Sequence, residues 1–124
     1  MSNIYIVDDS KVIRERLKEM LAEISGVHVI GQTGDPMDAL NAIRRYHPDA
    51  VILDIRLPGI NGIELLKKIK EEQPSAIVIM LTDYPYRQYQ QQSIQAGADY
   101  FFHKATEFNK AIDLLKGLYS NQPT

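Results

Sequence analysis

A chain of 124 residues without cysteine, with 14 Lys and Arg against 16 Asp and Glu, is the size of one domain with one substantial core. The missing thiols exclude disulfide staples, thiolate zinc sites and cysteine nucleophiles, and fit a reducing compartment. The net charge of -2, with basic residues scattered as ones and twos, leaves no stripe to track a nucleic acid; no apolar run nears membrane-spanning length and MSNIYIVDDS lacks the order of a signal peptide, so a soluble cytoplasmic protein is expected.

From the N-terminus, short apolar runs alternate with longer stretches whose apolar residues return every three to four positions, the pattern of strand–helix units. The first run, NIYIV (3–7), leads into a helix that places Ile13, Leu17, Met20, Leu21 and Ile24 on one face and Arg14, Glu15, Lys18 and Glu23 on the other. VHVIGQT (27–33) is the second run. Asp35 followed by Pro36 reads as an N-cap with proline at the first helical position, opening a helix that turns Ala39, Leu40 and Ile43 inward and that Pro48 helps to end. DAVILD (49–54) is the third run; the sharp turn LPGING follows, with Pro58, Gly59 and Gly62 where a bulky residue would crowd a bound metal. A third helix starts at about Ile63 and carries Leu66 and Ile69. AIVIML (76–81) precedes a glutamine-rich helix from near Pro85, and DYFF (99–102) precedes a last helix with Phe108, Ile112, Leu115 and Tyr119 on one side. Strands joined by helices pair in parallel through right-handed crossovers. The expectation is a doubly wound α/β domain of three layers, a five-stranded parallel sheet with five helices over residues 1–120, and a short tail at 121–124.

Ligands of such sheets bind beyond the carboxyl ends of the strands, where the strand order reverses. There the chain places Asp8 and Asp9 after the first run, Asp54 after the third, Thr82 and Asp83 after the fourth, and Lys104 beyond the fifth. Carboxylates gathered within a few ångströms repel one another and raise each other's pKa unless a cation sits among them. An all-oxygen set without histidine or thiol favours Mg2+, and Lys104 and Thr82 are suitable donors to phosphoryl oxygens. One carboxylate of the set is then free to act as a nucleophile and carry an acyl phosphate, and Asp54 stands out as a lone acid ending an otherwise apolar strand, where it would be costly without a partner. Singly, each residue has a plainer role: Asp8 and Asp9 as caps of the first helix, Thr82 as a strand-end hydroxyl, Lys104 as a solvated lysine. His28, His47 and His103 show no ligand spacing, and Gly31-x-x-Gly34 reads as a turn.

The segments IYIVDDS, VILDIRLPGINGIELL, IVIMLTD and AGADYFFHKA, in this order and spacing from about Asn3 to Leu118, resemble the receiver domain of bacterial two-component response regulators, of the chemotaxis-regulator-like form. The resemblance implies a flavodoxin-like receiver fold, here expected to stand alone. It implies that Asp54 accepts a phosphoryl group from a histidine kinase or histidine phosphotransfer protein, and that Mg2+ binds Asp9, Asp54 and the backbone carbonyl of Arg56, with Asp8 acting through water. Thr82 and Lys104 then contact the phosphoryl oxygens, and Thr82 and Phe101 form the switch. Its output face, for a downstream target protein, is the fourth helix, fifth strand and fifth helix. The residues themselves leave two readings of Tyr84, Tyr86 and Tyr89: a docking patch, or one or two of them packed on the sheet. Such a chain is a switch rather than an ordinary enzyme, monomeric or dimerising on phosphorylation. Arg56, Asp83 and Tyr84 are expected to modulate access to the phosphoryl group. The chain departs from the family's pattern at Ala105, where proline usually follows the lysine, at Asp83, where a small residue is common, and at Phe101, which lacks the hydroxyl often found there. Alternatives are a phosphorelay intermediate, a receiver-like interaction module that no longer accepts phosphate, and an FMN-binding redox protein; for the last, the two acids of VDDSKV would repel the flavin phosphate.

Overall fold

Alternate residues of a strand point to opposite faces of a sheet, and here both sides are apolar because both are covered. A computed structural model describes residues 2–83 and 87–120. The strands are β1 (Ser2–Val7), β2 (Val27–Thr33), β3 (Ala50–Leu53), β4 (Ile77–Thr82) and β5 (Tyr100–His103); the helices are α1 (Lys11–Ala22), α2 (Pro36–Tyr46), α3 (Gly62–Glu72), α4 (Arg87–Gln95) and α5 (Lys104–Tyr119). The strands form one sheet in the order β2-β1-β3-β4-β5, and each pairing is parallel. On one face Ile4, Ile6, Ile52, Ile79 and Leu81 pack with Leu17 and Leu21 of α1 and Phe108, Ile112 and Leu115 of α5. On the other, Tyr5, Val7, Val51, Leu53, Val78 and Met80 pack with α2 and α3 and with Tyr89 and Ala96 near α4. Fully burying one such aliphatic side chain is worth about 1.5–3 kcal/mol. The doubly wound, flavodoxin-like three-layer fold expected from the sequence is the one observed.

Local signals set the helix starts. Ser10 caps α1, its hydroxyl accepting from the Ile13 N–H at 3.3 Å; Asp35 caps α2 through Asp38 N–H at 2.8 Å; Asn61 caps α3 through Ile63 N–H at 2.8 Å. Each such cap is worth roughly 1 kcal/mol. His47 closes α2 in the left-handed conformation at φ 46°, one residue before the expected stop. Ile24 lies beyond the end of α1 yet is buried. The expected start of the fourth helix near Pro85 falls, with Tyr84 and Tyr86, outside the described residues. Among the described residues no helix is long and apolar enough to cross a membrane. The strand order reverses at β1, which lies between β2 and β3, so the carboxyl ends of β1 and β3 open side by side.

Candidate functional site

Asp8 directly follows β1, and its N–H donates to the Thr33 carbonyl at 3.0 Å, carrying the β1–β2 ladder one residue further. Its Oδ1 accepts from the Ser10 N–H at 2.9 Å. The cap of α1 is Ser10, whose hydroxyl accepts from the Ile13 N–H, which leaves Asp8 Oδ2 and the Asp9 carboxylate for other work. Asp54 extends β3 in the same manner, donating to the Val7 carbonyl at 3.0 Å. Behind it the turn closes through Gly62, whose N–H donates to Ile55 O at 2.6 Å. A Cβ at Gly62 would overlap the Asp54 carbonyl oxygen and lie 2.8 Å from Ile55 Cα. The glycine thus makes room for the backbone of Asp54, and not for a metal as the sequence suggested.

Lys104 is the first residue of α5 and is buried, not solvated. Its Nζ lies 2.6 Å from Asp8 Oδ2 and 2.9 Å from Asp54 Oδ2. Asp8, at 2 % exposure, and Asp54, at 4 %, join the exposed Asp9 in a group whose ligand oxygens all lie within 4.8 Å of one another. Thr82, fully buried, ends β4 beside them, paired in register with His103.

Three carboxylates and one ammonium leave the pocket short of positive charge. Burial raises the pKa of Asp54, the charge of Asp8 raises it further, and the opposing pull of Lys104 does not win. Asp8 is likewise raised, chiefly by burial, against its hydrogen bonds to Lys104 and Ser10. For Lys104, burial alone would favour the neutral amine, but the hydrogen bond to Asp8 and the two nearby charges outweigh it and raise its pKa. Asp54 Oδ1 is buried and has no hydrogen-bond partner among the described residues. Leaving such an acceptor unsatisfied costs about 1–3 kcal/mol, more for a charged group. An orphaned carboxylate oxygen beside two further carboxylates matches the all-oxygen ligand set of a hard divalent cation.

The other expected residues are placed less centrally. Arg56 is exposed and forms an isolated antiparallel bridge with Asn61. Phe101 is half-buried, on the α4 side of β5, edge-on to His103 with ring centres 6.1 Å apart. Asp83 is exposed after β4, and Tyr84 lies outside the described residues. The described peptide bonds are all trans, including that between Lys104 and Ala105. Sequence reading assigned Arg14 to the solvent side of α1. Instead it is half-buried, with Nη1 donating to the Asp8 carbonyl at 2.6 Å and Nε to Gln32 Oε1 at 2.9 Å. No local signal marks it, since its place on the helix is that of any polar residue.

A doubly wound sheet with an acidic pocket and a buried lysine at its switch point defines a class of protein, and comparison with known chains gives it a family. The model of the response regulator receiver domain matches residues 4–116. The chain belongs to that family, whose setting is two-component systems. It is 30% identical over 122 residues to the response regulator GacA of Pseudomonas aeruginosa, covering 98% of this chain and 57% of that one, so the chain spans just over half the length of this curated relative. Among solved structures, a CheY-like receiver domain protein from Methanospirillum hungatei superposes with a TM-score of 0.86 at 28% identity, covering 95% of this chain and 93% of that one. CheY of Borrelia burgdorferi, solved as a complex with CheX, BeF3 and Mg2+, gives 0.86 at 27%, with 94% and 88% covered.

Proposed function

We propose that this chain is a phosphorylation switch whose acceptor is Asp54. The observation that carries the reading is the buried Oδ1 of Asp54, which has no hydrogen-bond partner among the described residues and is set among Asp8, Asp9 and Lys104. The Asp54 carboxylate forms a bond to phosphorus as the P–N bond of a phosphohistidine on a kinase or phosphotransfer protein breaks; the bonding pair returns to the imidazole, which takes up a proton. Positioning and charge stabilisation are most of what this transfer asks of a protein. Asp9, Asp54 and the Arg56 carbonyl would hold Mg2+, with Asp8 acting through water; the Borrelia neighbour, solved with BeF3 and Mg2+, supports this choice of ion. When bound, the ion supplies positive charge at the phosphoryl oxygens. Lys104 exchanges its carboxylate partners for a phosphoryl oxygen, and the Thr82 hydroxyl turns toward another.

The new charge, about -1.5 to -2, draws Thr82 and with it the segment after β4, and Phe101 turns inward to fill the space. The α4–β5–α5 face then presents its second arrangement to a downstream protein. The light anchoring of α4, in which Ser93 is the one buried residue, supports its role as the moving part. Arg56, Asp83 and Tyr84 tune water access to the phosphoryl group. The chain assists its own modification without turning over a metabolite, so it is a switch rather than an enzyme; it works in the cytoplasm, where the absence of cysteine is at home. Incubation with acetyl phosphate and Mg2+ followed by intact mass tests this: wild type gains one phosphoryl group and Asp54→Asn gains none. Equal labelling of both proteins, or none of either, defeats it.

A further inference from the structure

We infer that Arg14 is a positioning residue for the acidic site, aiming Asp9 by gripping the peptide that joins it to Asp8. This rests on the metal reading above. The two acids of the pair are held in different ways. The Asp8 carboxylate is fixed by its own contacts, with Oδ1 on the Ser10 N–H and Oδ2 on Lys104 Nζ. The Asp9 carboxylate is exposed and makes no hydrogen bond or ion pair among the described residues. Its backbone fixes the Cα–Cβ direction, so the placement of that peptide decides how the side chain is presented to the site.

That backbone is clamped. The carbonyl of Asp8 belongs to the Asp8–Asp9 peptide, and Arg14 Nη1 donates to it at 2.6 Å, a charge-assisted bond of the stronger kind. The guanidinium is itself oriented, since Nε donates to Gln32 Oε1 at 2.9 Å and Gln32 Nε2 reaches Glu15 Oε1 at 3.5 Å. A second, independent observation is the close approach of Gly34. A Cβ there would lie 3.0 Å from Arg14 Nη1, 3.1 Å from Asp9 Cα and 3.2 Å from the Asp8 carbonyl oxygen. The loop after β2 thus passes so near the peptide that a side chain at Gly34 would crowd both it and the guanidinium, and glycine there leaves Arg14 room to hold the oxygen. A rigid fork with several donors suits this task better than a point charge. An arginine serving merely to tie α1 to β2 would need the Gln32 bond alone.

The test is Mg2+ titration by calorimetry on the unphosphorylated full chain, compared with the metal-free melting temperature of each variant. Arg14→Gln weakens Mg2+ binding roughly 10–100-fold, the usual effect of removing an outer partner of a metal site. Arg14→Lys recovers part of that loss. Phosphorylation of Arg14→Gln by acetyl phosphate approaches the wild-type rate at saturating Mg2+, because the acceptor itself is untouched. Gln32→Ala, a milder change that unseats only Nε, weakens binding in the same direction and serves if Arg14→Gln does not fold. A melting temperature that falls while the Mg2+ dissociation constant stays at the wild-type value overturns the inference and leaves Arg14 a purely structural tie. Asp9→Asn is the control that separates the two readings: if it too leaves Mg2+ binding unchanged, the metal reading is what has failed.

Discussion

Lys104 lies between two buried carboxylates at 2.6 and 2.9 Å, and its removal exposes what it compensates. Breaking a buried charge cluster by deleting one partner leaves the other charges in a poor solvent and costs about 3–5 kcal/mol. Lys104→Met is therefore expected to lower the metal-free unfolding free energy at neutral pH by that amount in urea titrations, with part of the loss recovered when Mg2+ is added. Undiminished stability would mean the carboxylates do not need the lysine. Gly62 acts through backbone and not charge. Since a Cβ there would overlap the Asp54 carbonyl oxygen, Gly62→Ala must shift the strand end that carries the acceptor. The expected cost is about 1–3 kcal/mol, typical of overpacking, together with slower labelling by acetyl phosphate. Neither effect was legible in the sequence beforehand, because both depend on which atom of a distant residue comes within contact distance.

Among the elements, α4 and α5 flank β5 and are anchored very differently. Phe108, Ala111, Ile112, Leu115 and Tyr119 bury one side of α5, whereas α4 buries Ser93 alone, and the Ser93 hydroxyl has no hydrogen-bond partner among the described residues. An unsatisfied buried hydroxyl costs about 1–3 kcal/mol. Ser93→Ala is accordingly expected to stabilise the domain by roughly 1 kcal/mol and to slow amide exchange in α4; faster exchange would show that the hydroxyl is paired. The start of α5, which carries Lys104, is held by Glu107, whose Oε1 accepts from the His103 N–H at 3.1 Å. That hydrogen bond holds the Glu107 carboxyl below its ordinary value. In the interval between the two pKa values the unfolded chain binds the proton and the folded one does not, so stability rises with pH. The contribution is complete above the ordinary glutamate pKa and is lost as pH falls through the depressed one. Glu107→Gln should flatten this part of the urea-midpoint profile between about pH 6 and about pH 3; a profile unchanged from wild type would assign the acid sensitivity to other groups.

For the molecule as a whole, metal binding and folding are linked. An ion that binds only the native state at a hundred times its dissociation constant adds about 2.7 kcal/mol, roughly 10 °C for a domain of this size. Mg2+ should raise the melting temperature of the wild type by this order and that of Asp9→Asn far less, as read by scanning calorimetry. A melting curve indifferent to Mg2+ would remove the metal from the account. The same carboxyl-end geometry explains why the cluster exists at all: β1, β3, β4 and β5 follow one another in the parallel sheet, so Asp8 after β1, Asp54 after β3 and Lys104 after β5, the last 50 positions beyond Asp54, meet at one rim.

The elements were legible from the residues, since apolar period, Asp35-Pro36 and the strand runs are local signals that survive without knowledge of neighbours. The sequence also determined which residues stand at strand ends, and hence the acids Asp8, Asp9 and Asp54. Tertiary structure alone decided that Lys104 is buried between two of them, that Ser10 and not an aspartate caps α1, and that Arg14 turns in to the Asp8 carbonyl. The reason is that periodicity assigns a residue to a face, whereas a hydrogen bond between segments is fixed by strand order, register and the reach of a side chain across space.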